Sequence, residues 1–234
     1  METVALTVLA ALWGAAAGAL LPRPAYRLSV EPEEPWRSTD PEGRPIPGWI
    51  GPARYGPSTV VLSTCTALIC ALLAAATGTR PELAAWLLLA PLGVLLATVD
   101  FAVHRLPDLL TLPLAALALA VLGAAALLPE PGGSWRGTLL GAAGMGGGYL
   151  ILHLLYPPGL GFGDVKLAVG LGAALGWYGW GVLFLGAFVG VCLNGLFAAV
   201  LVVFRRAGRK TLLPFGPFMI AGACAGVLLG ALGA

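Results

Sequence analysis

The chain has 234 residues, of which 59% are hydrophobic and 10% are charged, and its formal net charge is +2. Its mean hydropathy is +0.91, whereas soluble globular domains carry roughly 25% charged residues. This composition excludes a soluble protein and predicts an all-α polytopic membrane protein embedded in a lipid bilayer. The small net charge gives no indication of a nucleic-acid partner.

A helix needs about 20 largely apolar residues to cross a bilayer. The sequence predicts eight spans, at 3–21, 58–78, 82–101, 109–128, 136–156, 165–178, 180–204 and 212–232. The sixth and seventh form one apolar block, which we divide at 176–180 because its aromatic residues and glycines suit an interfacial turn. One long helix there, giving seven spans, is the alternative. The first span lacks the basic start of a signal peptide, so we expect a retained helix.

The basic residues predict the orientation of the chain. Eleven of the thirteen Lys and Arg residues lie in four loops, around 22–57, 102–108, 157–166 and 205–211. The other two, Arg80 and Arg136, lie in loops on the opposite side. By the positive-inside rule the first set of loops faces the cytoplasm. Eight spans then place both termini outside.

The first of these loops is the one long polar stretch. Residues 22–57 contain nine prolines, five acidic residues and five basic residues, a composition typical of extended, weakly structured chain. The predicted organisation is therefore a first transmembrane helix at 1–21, a Pro-rich cytoplasmic loop at 22–57 and a membrane-embedded core at 58–234.

Three aspartates, Asp100, Asp108 and Asp164, lie at the cytoplasmic ends of predicted spans. Carboxylates in membrane segments are costly and indicate function by default. Asp108 follows Pro107 before an apolar run, which favours a helix N-cap over a direct role in a site.

Asp100 and Asp164 each have a structural alternative. Asp100 ends an apolar run, where the helix dipole disfavours an anion, and it could pair with His104 or Arg105. Asp164 could be the N-cap of a helix that starts at Val165. Two aspartates at the same membrane face are nevertheless a stronger signal than either one alone.

Two such carboxylates support a known chemistry. Close carboxylates in a low-dielectric site share one proton. The ionised member can then take a proton from water while the neutral member donates to a scissile carbonyl, which hydrolyses a peptide bond without a metal. The titration belongs to the pair, so either aspartate can be the base. A zinc protease is disfavoured because the chain lacks HExxH.

Three motifs together resemble the type IV prepilin peptidases, which are bacterial intramembrane aspartyl proteases of the GxGD class. They are "VDFAVHRLPDLLTLPL" at 99–114, "GFGDVKL" at 161–167 and "LPFGPFMIAG" at 213–222. The motifs occur in the family's order, and the resemblance extends over roughly 54–232. It implies the GxGD aspartyl protease architecture.

The resemblance also implies roles for individual residues. Asp100 and Asp164 resemble the catalytic pair. Eight further positions resemble parts of the family's motifs that support the site: Gly161, Gly163, Asp108, Lys166, Pro214, Phe215, Gly216 and Pro217. The two glycines would let the backbone approach closely, Lys166 would be an interfacial anchor or an electrostatic partner, and the PFGP segment would shape the substrate side or start a helix.

The family's substrates are prepilins and pseudopilins, which carry a short basic leader before an apolar helix. Cleavage of the leader at the cytoplasmic face of the bacterial inner membrane agrees with the charge distribution of the loops. The resemblance therefore implies an aspartic-type endopeptidase of type IV pilus assembly or protein secretion. It leaves the oligomeric state open.

One departure from the family concerns a second activity. Longer members carry cysteine pairs in the first cytoplasmic loop and N-methylate the new amino terminus with S-adenosylmethionine. Here residues 22–57 contain no cysteine, so we expect neither bound zinc nor use of S-adenosylmethionine, and little or no methylation.

Two other functions are compatible with membrane carboxylates. One is a non-enzymatic small transporter or channel with a proton or ion path, although no matched pair of interrupted helices is visible in two halves. The other is a different GxGD protease that cleaves within spans of other proteins.

Overall fold

A computed structural model describes residues 2–31, 33–204 and 213–234. Across these ranges the protein is all-α, with a single isolated β-bridge between Thr39 and Pro45. The helices are α1 Glu2–Ala19, α2 Pro22–Leu28, α3 Thr59–Thr77, α4 Leu83–Val103, α5 Asp108–Ala125, α6 Trp135–Leu155, α7 Phe162–Trp177, α8 Trp180–Val203 and α9 Gly216–Gly233. A 3₁₀ turn, Pro157–Gly159, precedes α7.

The predicted class of an all-α polytopic membrane protein is confirmed. Within the described ranges, seven helices are long and apolar enough to cross a bilayer, and they correspond to seven of the eight predicted spans. The predicted span 165–178 is α7, which has 16 residues and so extends about 24 Å against a hydrocarbon core of about 30 Å.

The break between α7 and α8 lies within the predicted turn at 176–180. α7 ends at Trp177, α8 begins at Trp180, and Gly179 between them has φ +102°. A side chain would strain the backbone there. The chain therefore reverses direction at this glycine, as the aromatic and glycine-rich stretch predicts.

Helix α7 is the buried helix of the bundle, and glycines bring α6 against it. A Cβ atom at Gly141 would overlap the carbonyl of Gly172, and one at Gly137 would overlap that of Gly176. Small residues at helix interfaces allow this backbone-to-backbone packing in lipid. The glycines in these apolar runs thus explain how α7 is enclosed.

The prediction of an extended, weakly structured loop at 22–57 is wrong. The loop begins with the buried helix α2, and the Arg23 guanidinium donates to the carbonyls of Pro47 and Pro52 at 2.7 and 3.0 Å. Arg27 lies over the Trp49 ring at 4.3 Å. Arginine side chains thus donate hydrogen bonds to backbone carbonyls of the loop. The composition of the loop does not predict these bonds.

The end of the bundle opposite Asp100 is joined by a buried carboxylate. Glu82 is 0% exposed, and its two oxygens accept the backbone N–H of Gly132 at 3.1 and 3.2 Å. The Tyr178 hydroxyl donates to the same carboxylate at 3.3 Å. Glu82 therefore connects the start of α4, the α5–α6 loop and the end of α7.

Arg80 extends this network to two helix ends. It lies 3.9 Å from the Glu82 carboxylate and donates to the carbonyls of Thr77 and Ala231. A cation at a helix C-terminus favours the orphan carbonyls there. Arg80 thus connects the C-terminal ends of α3 and α9 to the segments that contact Glu82.

We expect Glu82→Ala to destabilise the fold. The change leaves the Gly132 N–H without its acceptor and removes the buried negative charge next to Arg80, which costs about 3–5 kcal/mol or roughly 10 °C in melting temperature. Thermal unfolding of the purified protein in detergent measures the effect. Glu42→Ala, in the exposed part of the 22–57 loop, is the control and should melt as wild type. Equal melting temperatures for the two variants would contradict a structural role of Glu82.

Candidate functional site

Asp100 lies one turn before the end of α4 and is 4% exposed. One oxygen of its carboxyl group accepts the backbone N–H of Gly216 at 3.0 Å. His104 ends the helix in the left-handed conformation, and its N–H donates to the Asp100 carbonyl at 2.8 Å. The C-terminus of α4 is therefore closed by its own backbone, and the carboxyl group is directed to α9.

The structural alternative for Asp100, an ion pair with His104 or Arg105, is not formed in the described residues. The Arg105 guanidinium donates instead to the carbonyl of Glu31 at 3.1 Å. The partner of Asp100 is thus a neutral backbone amide 116 residues further along the chain.

Asp164 lies in the first turn of α7. The helix begins at Phe162 with Gly161 as its N-cap, so the prediction of Asp164 as the N-cap itself is wrong. Its carboxyl group instead accepts the Gly161 N–H at 3.1 Å, while the Asp164 N–H donates to the Gly161 carbonyl at 3.1 Å. The bond from the Gly161 N–H to the Asp164 side chain is one half of a capping box. It fixes the carboxyl group at the helix start.

The two aspartates lie at the same end of the bundle, on either side of Leu106. A Cβ atom at Gly163 would lie 2.9 Å from the Leu106 Cβ, and one at Gly216 would lie 2.7 Å from the Asp100 carboxyl and 3.2 Å from Leu106. Leu106 is buried and so contacts both sides of the site. Asp164, next to Gly163, and Asp100, bonded to Gly216, therefore lie on the two sides of one buried leucine.

The PFGP segment, Pro214–Pro217, starts α9, which is one of the two roles that the sequence left open. Phe215 is the N-cap of α9 and Pro217 lies in its first turn, as in a Pro-rich helix start. Gly216 at the same time donates its N–H to Asp100. The Phe215 ring stacks on Tyr149 with centroids 6.0 Å apart, so the segment also forms one side of the site.

Lys166 and Asp108 form an ion pair with 2.6 Å between Nζ and Oδ1. The prediction that Asp108 caps α5 is wrong, because Pro107 is the N-cap and Asp108 is the first helical residue. Its charge still suits the positive end of the helix dipole. For Lys166 the structure selects the electrostatic partner among the two expected roles, and the Phe162 ring lies 4.9 Å from its ammonium group.

An open groove of about 620 Å³ lies beside this ion pair. Its lining comes from the 22–57 loop, the α4–α5 connection and the start of α5: Trp36, Arg105, Leu106, Pro107, Asp108, Leu109, Leu112 and Pro113. Trp36 is exposed, so the folded loop supplies an aromatic wall. The groove has the size of a ligand site and leads from the surface to Leu106.

Metal ligands do not converge in the part of the chain that the structure describes: groups of three or more His, Cys, Asp or Glu side chains are absent there. The His153 Nδ1–H donates to the Leu160 carbonyl at 2.7 Å, and the ring packs on Phe162. It therefore orders the turn before α7.

Sequence reasoning missed three residues of this region, namely Leu106, Tyr149 and Trp36. Leu106 directly precedes Pro107 and Asp108 in the first motif. An apolar residue between Arg105 and this Pro-Asp pair is a usable signal of a buried position. Tyr149 is the single aromatic residue in a glycine-rich part of α6 and lies within electrostatic range of Asp164. Trp36 has no such signal, because its place depends on the fold of the loop.

Known proteins resemble this chain in the same region. A family model described as "Type IV leader peptidase family" matches residues 83–203. A "Prepilin leader peptidase/N-methyltransferase" of Aeromonas salmonicida (strain A449) is 35% identical over 144 residues, which are 57% of this chain and 45% of that protein. No solved structure matches the chain.

Proteins of the same name in two other bacteria give a similar picture. The one from Burkholderia pseudomallei (strain 1026b) is 35% identical over 149 residues, covering 58% of this chain and 43% of the relative. The one from Bacillus subtilis (strain 168) is 37% identical over 112 residues, covering 46% and 42%. The chain thus spans less than half the length of the curated relatives that it matches.

The close approach of α7 to Leu106 predicts an effect of Gly163→Ala. The added methyl group would collide with the Leu106 Cβ and force the start of α7 away, at a cost of about 1–3 kcal/mol. Gly147→Ala is the matched control, since a Cβ there meets nothing within 4 Å, and alanine gains about 0.5–1 kcal/mol over glycine in a helix. Melting temperatures in detergent should fall for the first variant and not for the second. A Gly163→Ala protein as stable as Gly147→Ala would show that the contact is loose.

Proposed function

Because the chain belongs to the type IV leader peptidase family, we propose that it is an intramembrane aspartyl endopeptidase that removes the leader of type IV prepilins or pseudopilins. The observation that carries the proposal is the position of Asp100 and Asp164 at one end of the bundle, on the two sides of Leu106. Each carboxyl group is oriented by one backbone N–H, from Gly216 and Gly161 respectively. Two oriented carboxyl groups support metal-independent hydrolysis of a peptide bond.

The proposed mechanism is general acid–base catalysis by the pair. Repulsion between the carboxylates disfavours double ionisation, so the two groups share one proton. The ionised carboxylate takes a proton from a water molecule, which attacks the scissile carbonyl, and the neutral carboxyl group donates its proton to the carbonyl oxygen. Collapse of the tetrahedral intermediate then needs a proton on the leaving amine, and the carboxyl group that was protonated by water supplies it.

The site is proposed to face the cytoplasm of the bacterial inner membrane. The described loops at the Asp100 end carry Arg23, Arg27, Arg37, Arg44, Arg54 and Arg105, in addition to Lys166 at the start of α7. Arg80 and Arg136 lie at the opposite end. The positive-inside rule supports this orientation. The basic stretch 205–211, predicted for the same side, lies outside the described residues.

The groove beside Asp108 supports an extended peptide as the substrate. Its apolar wall of Trp36, Leu109 and Leu112 is exposed, and irregular backbone at membrane depth is tolerated where it lines a cavity. A prepilin would place the junction of leader and helix next to Asp100, with the polar leader in the groove and the apolar helix in the bilayer.

N-methylation of the product is proposed to be absent or weak. The first loop of this chain, 22–57, has no cysteine, and α2 and its arginines already occupy the loop with internal contacts.

Asp100→Asn and Asp164→Asn are each expected to lower leader cleavage by at least about 100-fold, the usual contribution of general acid–base groups. Asparagine is nearly isosteric and keeps an acceptor for the Gly216 or Gly161 N–H, so the fold should be retained. Co-expression with a candidate prepilin from the same genome, followed by electrophoresis of the pilin, measures cleavage.

The control for charge removal is Asp40→Asn, which alters an aspartate of the 22–57 loop that pairs with Arg44. It should cleave as wild type. Wild-type cleavage by either Asp100→Asn or Asp164→Asn, with equal amounts of folded protein in the membrane, would exclude the aspartyl mechanism. Proton movement in vesicles without any cleavage would favour a transporter.

The mass of the processed pilin tests the methylation proposal. Intact-mass spectrometry of pilin co-expressed with the wild-type protein should give an unmodified amino-terminal residue. A co-expressed full-length relative from Aeromonas salmonicida, named as an N-methyltransferase, is the positive control for detecting the methyl group. A methylated residue in the pilin processed by this chain would overturn the proposal.

A further inference from the structure

The Lys166–Asp108 ion pair joins two short segments that lie next to the proposed catalytic pair. Lys166 is two residues after Asp164 on α7, and Asp108 is two residues after Leu106 at the start of α5. The residues are 58 positions apart in the chain and 2.6 Å apart in space. The pair is therefore the polar link between the start of α5 and the start of α7.

Leu106 gives this link a consequence for the site. The Leu106 Cβ packs against the backbone of Gly163, and the end of the Leu106 side chain packs against Gly216. The Gly216 N–H in turn donates to the Asp100 carboxyl group. A shift of α5 relative to α7 moves Leu106 and so changes the separation of Asp164 and Asp100. The ion pair opposes that shift directly, because it spans the two helices one turn beyond the contact of Leu106 with Gly163.

The exposure of the two side chains bears on what the pair can contribute. The Lys166 side chain is 24% exposed and that of Asp108 is 59% exposed. Exposed ion pairs add little to global stability, whereas small displacements of reacting groups are costly to rate. The effect of the pair is therefore expected in the turnover number rather than in the melting temperature.

We propose that Lys166 and Asp108 are a positioning pair, which holds Leu106 against α7 and thereby sets the separation of Asp100 and Asp164. The inference rests on the aspartyl peptidase function proposed above. Neither residue touches the scissile bond; both act through Leu106. A lysine that merely anchors α7 at the lipid headgroups would act without Asp108, and this difference separates the two roles.

A double-mutant cycle tests the pair. Lys166→Met and Asp108→Asn are each expected to lower kcat roughly 10- to 100-fold, measured with a purified recombinant prepilin from the same genome. Lys166→Met changes no residue of the groove lining and should leave KM nearly unchanged. The double variant should be no slower than the slower single variant, since both changes remove one interaction. Lys166→Arg keeps the charge and should retain most of the wild-type kcat.

Arg44→Gln is the matched control, because it breaks the Asp40–Arg44 ion pair of the 22–57 loop and should leave kcat unchanged. A wild-type kcat in Asp108→Asn, additive losses in the double variant, or losses that follow a fall in melting temperature would each overturn the positioning role. A loss in Lys166→Met alone would indicate a lipid anchor and would overturn it too.

A second measurement does not depend on cleavage. Hydrogen–deuterium exchange of the backbone amides, followed by mass spectrometry of the peptide that spans 161–167, reports how firmly the start of α7 is held. Lys166→Met and Asp108→Asn should each speed that exchange several-fold, and Arg44→Gln should not. Unchanged exchange overturns the inference. Faster exchange in these variants of a protein that cleaves no prepilin would support the positioning role and contradict the proposed function.

Discussion

The hydrogen bond from the Gly216 amide to the Asp100 carboxyl group is the interaction on which the candidate site depends. It joins the last turn of α4 to the first residue of α9 at a distance of 3.0 Å. The N–H of Gly216 is free to donate because it lies in the first turn of the helix. Glycine is needed there because a Cβ atom would lie 2.7 Å from the carboxylate oxygen. A buried carboxyl group with such a donor stays oriented in an otherwise apolar bundle.

The same helices are fixed at their opposite ends by the Glu82 carboxylate. Glu82 precedes α4 and accepts from Tyr178 at the end of α7, while Arg80 donates to Ala231 near the end of α9. The three helices that carry Asp100, Asp164 and Gly216 are thus tied to each other at both ends. Polar groups satisfy one another at the two ends and glycines pack the apolar middle, so each helix has little freedom to tilt.

The local patterns of the sequence predict the helices and the pair of aspartates, but not the contacts between distant segments. Hydropathy and the aromatic and glycine residues predict the spans and the turn at Gly179, and the motifs place Asp100 and Asp164 at the same end of the bundle. The hydrogen-bond partners of Lys166 and Glu82 cannot be predicted in this way, because each lies 50 or more residues away in the chain. The proline and charge content of the 22–57 loop likewise did not predict its internal contacts, in which arginine side chains donate to backbone carbonyls.

The shortness of α7 is a consequence of its place in the bundle and a condition of the site. A helix enclosed by α5, α6 and α9 buries its backbone and side chains in protein, so it need not match the thickness of the bilayer. Its first turn is partly exposed, and Asp100 lies one turn inside the end of α4. The two aspartates are thus brought to one end of the bundle by helices whose opposite ends are joined at the Glu82 carboxylate.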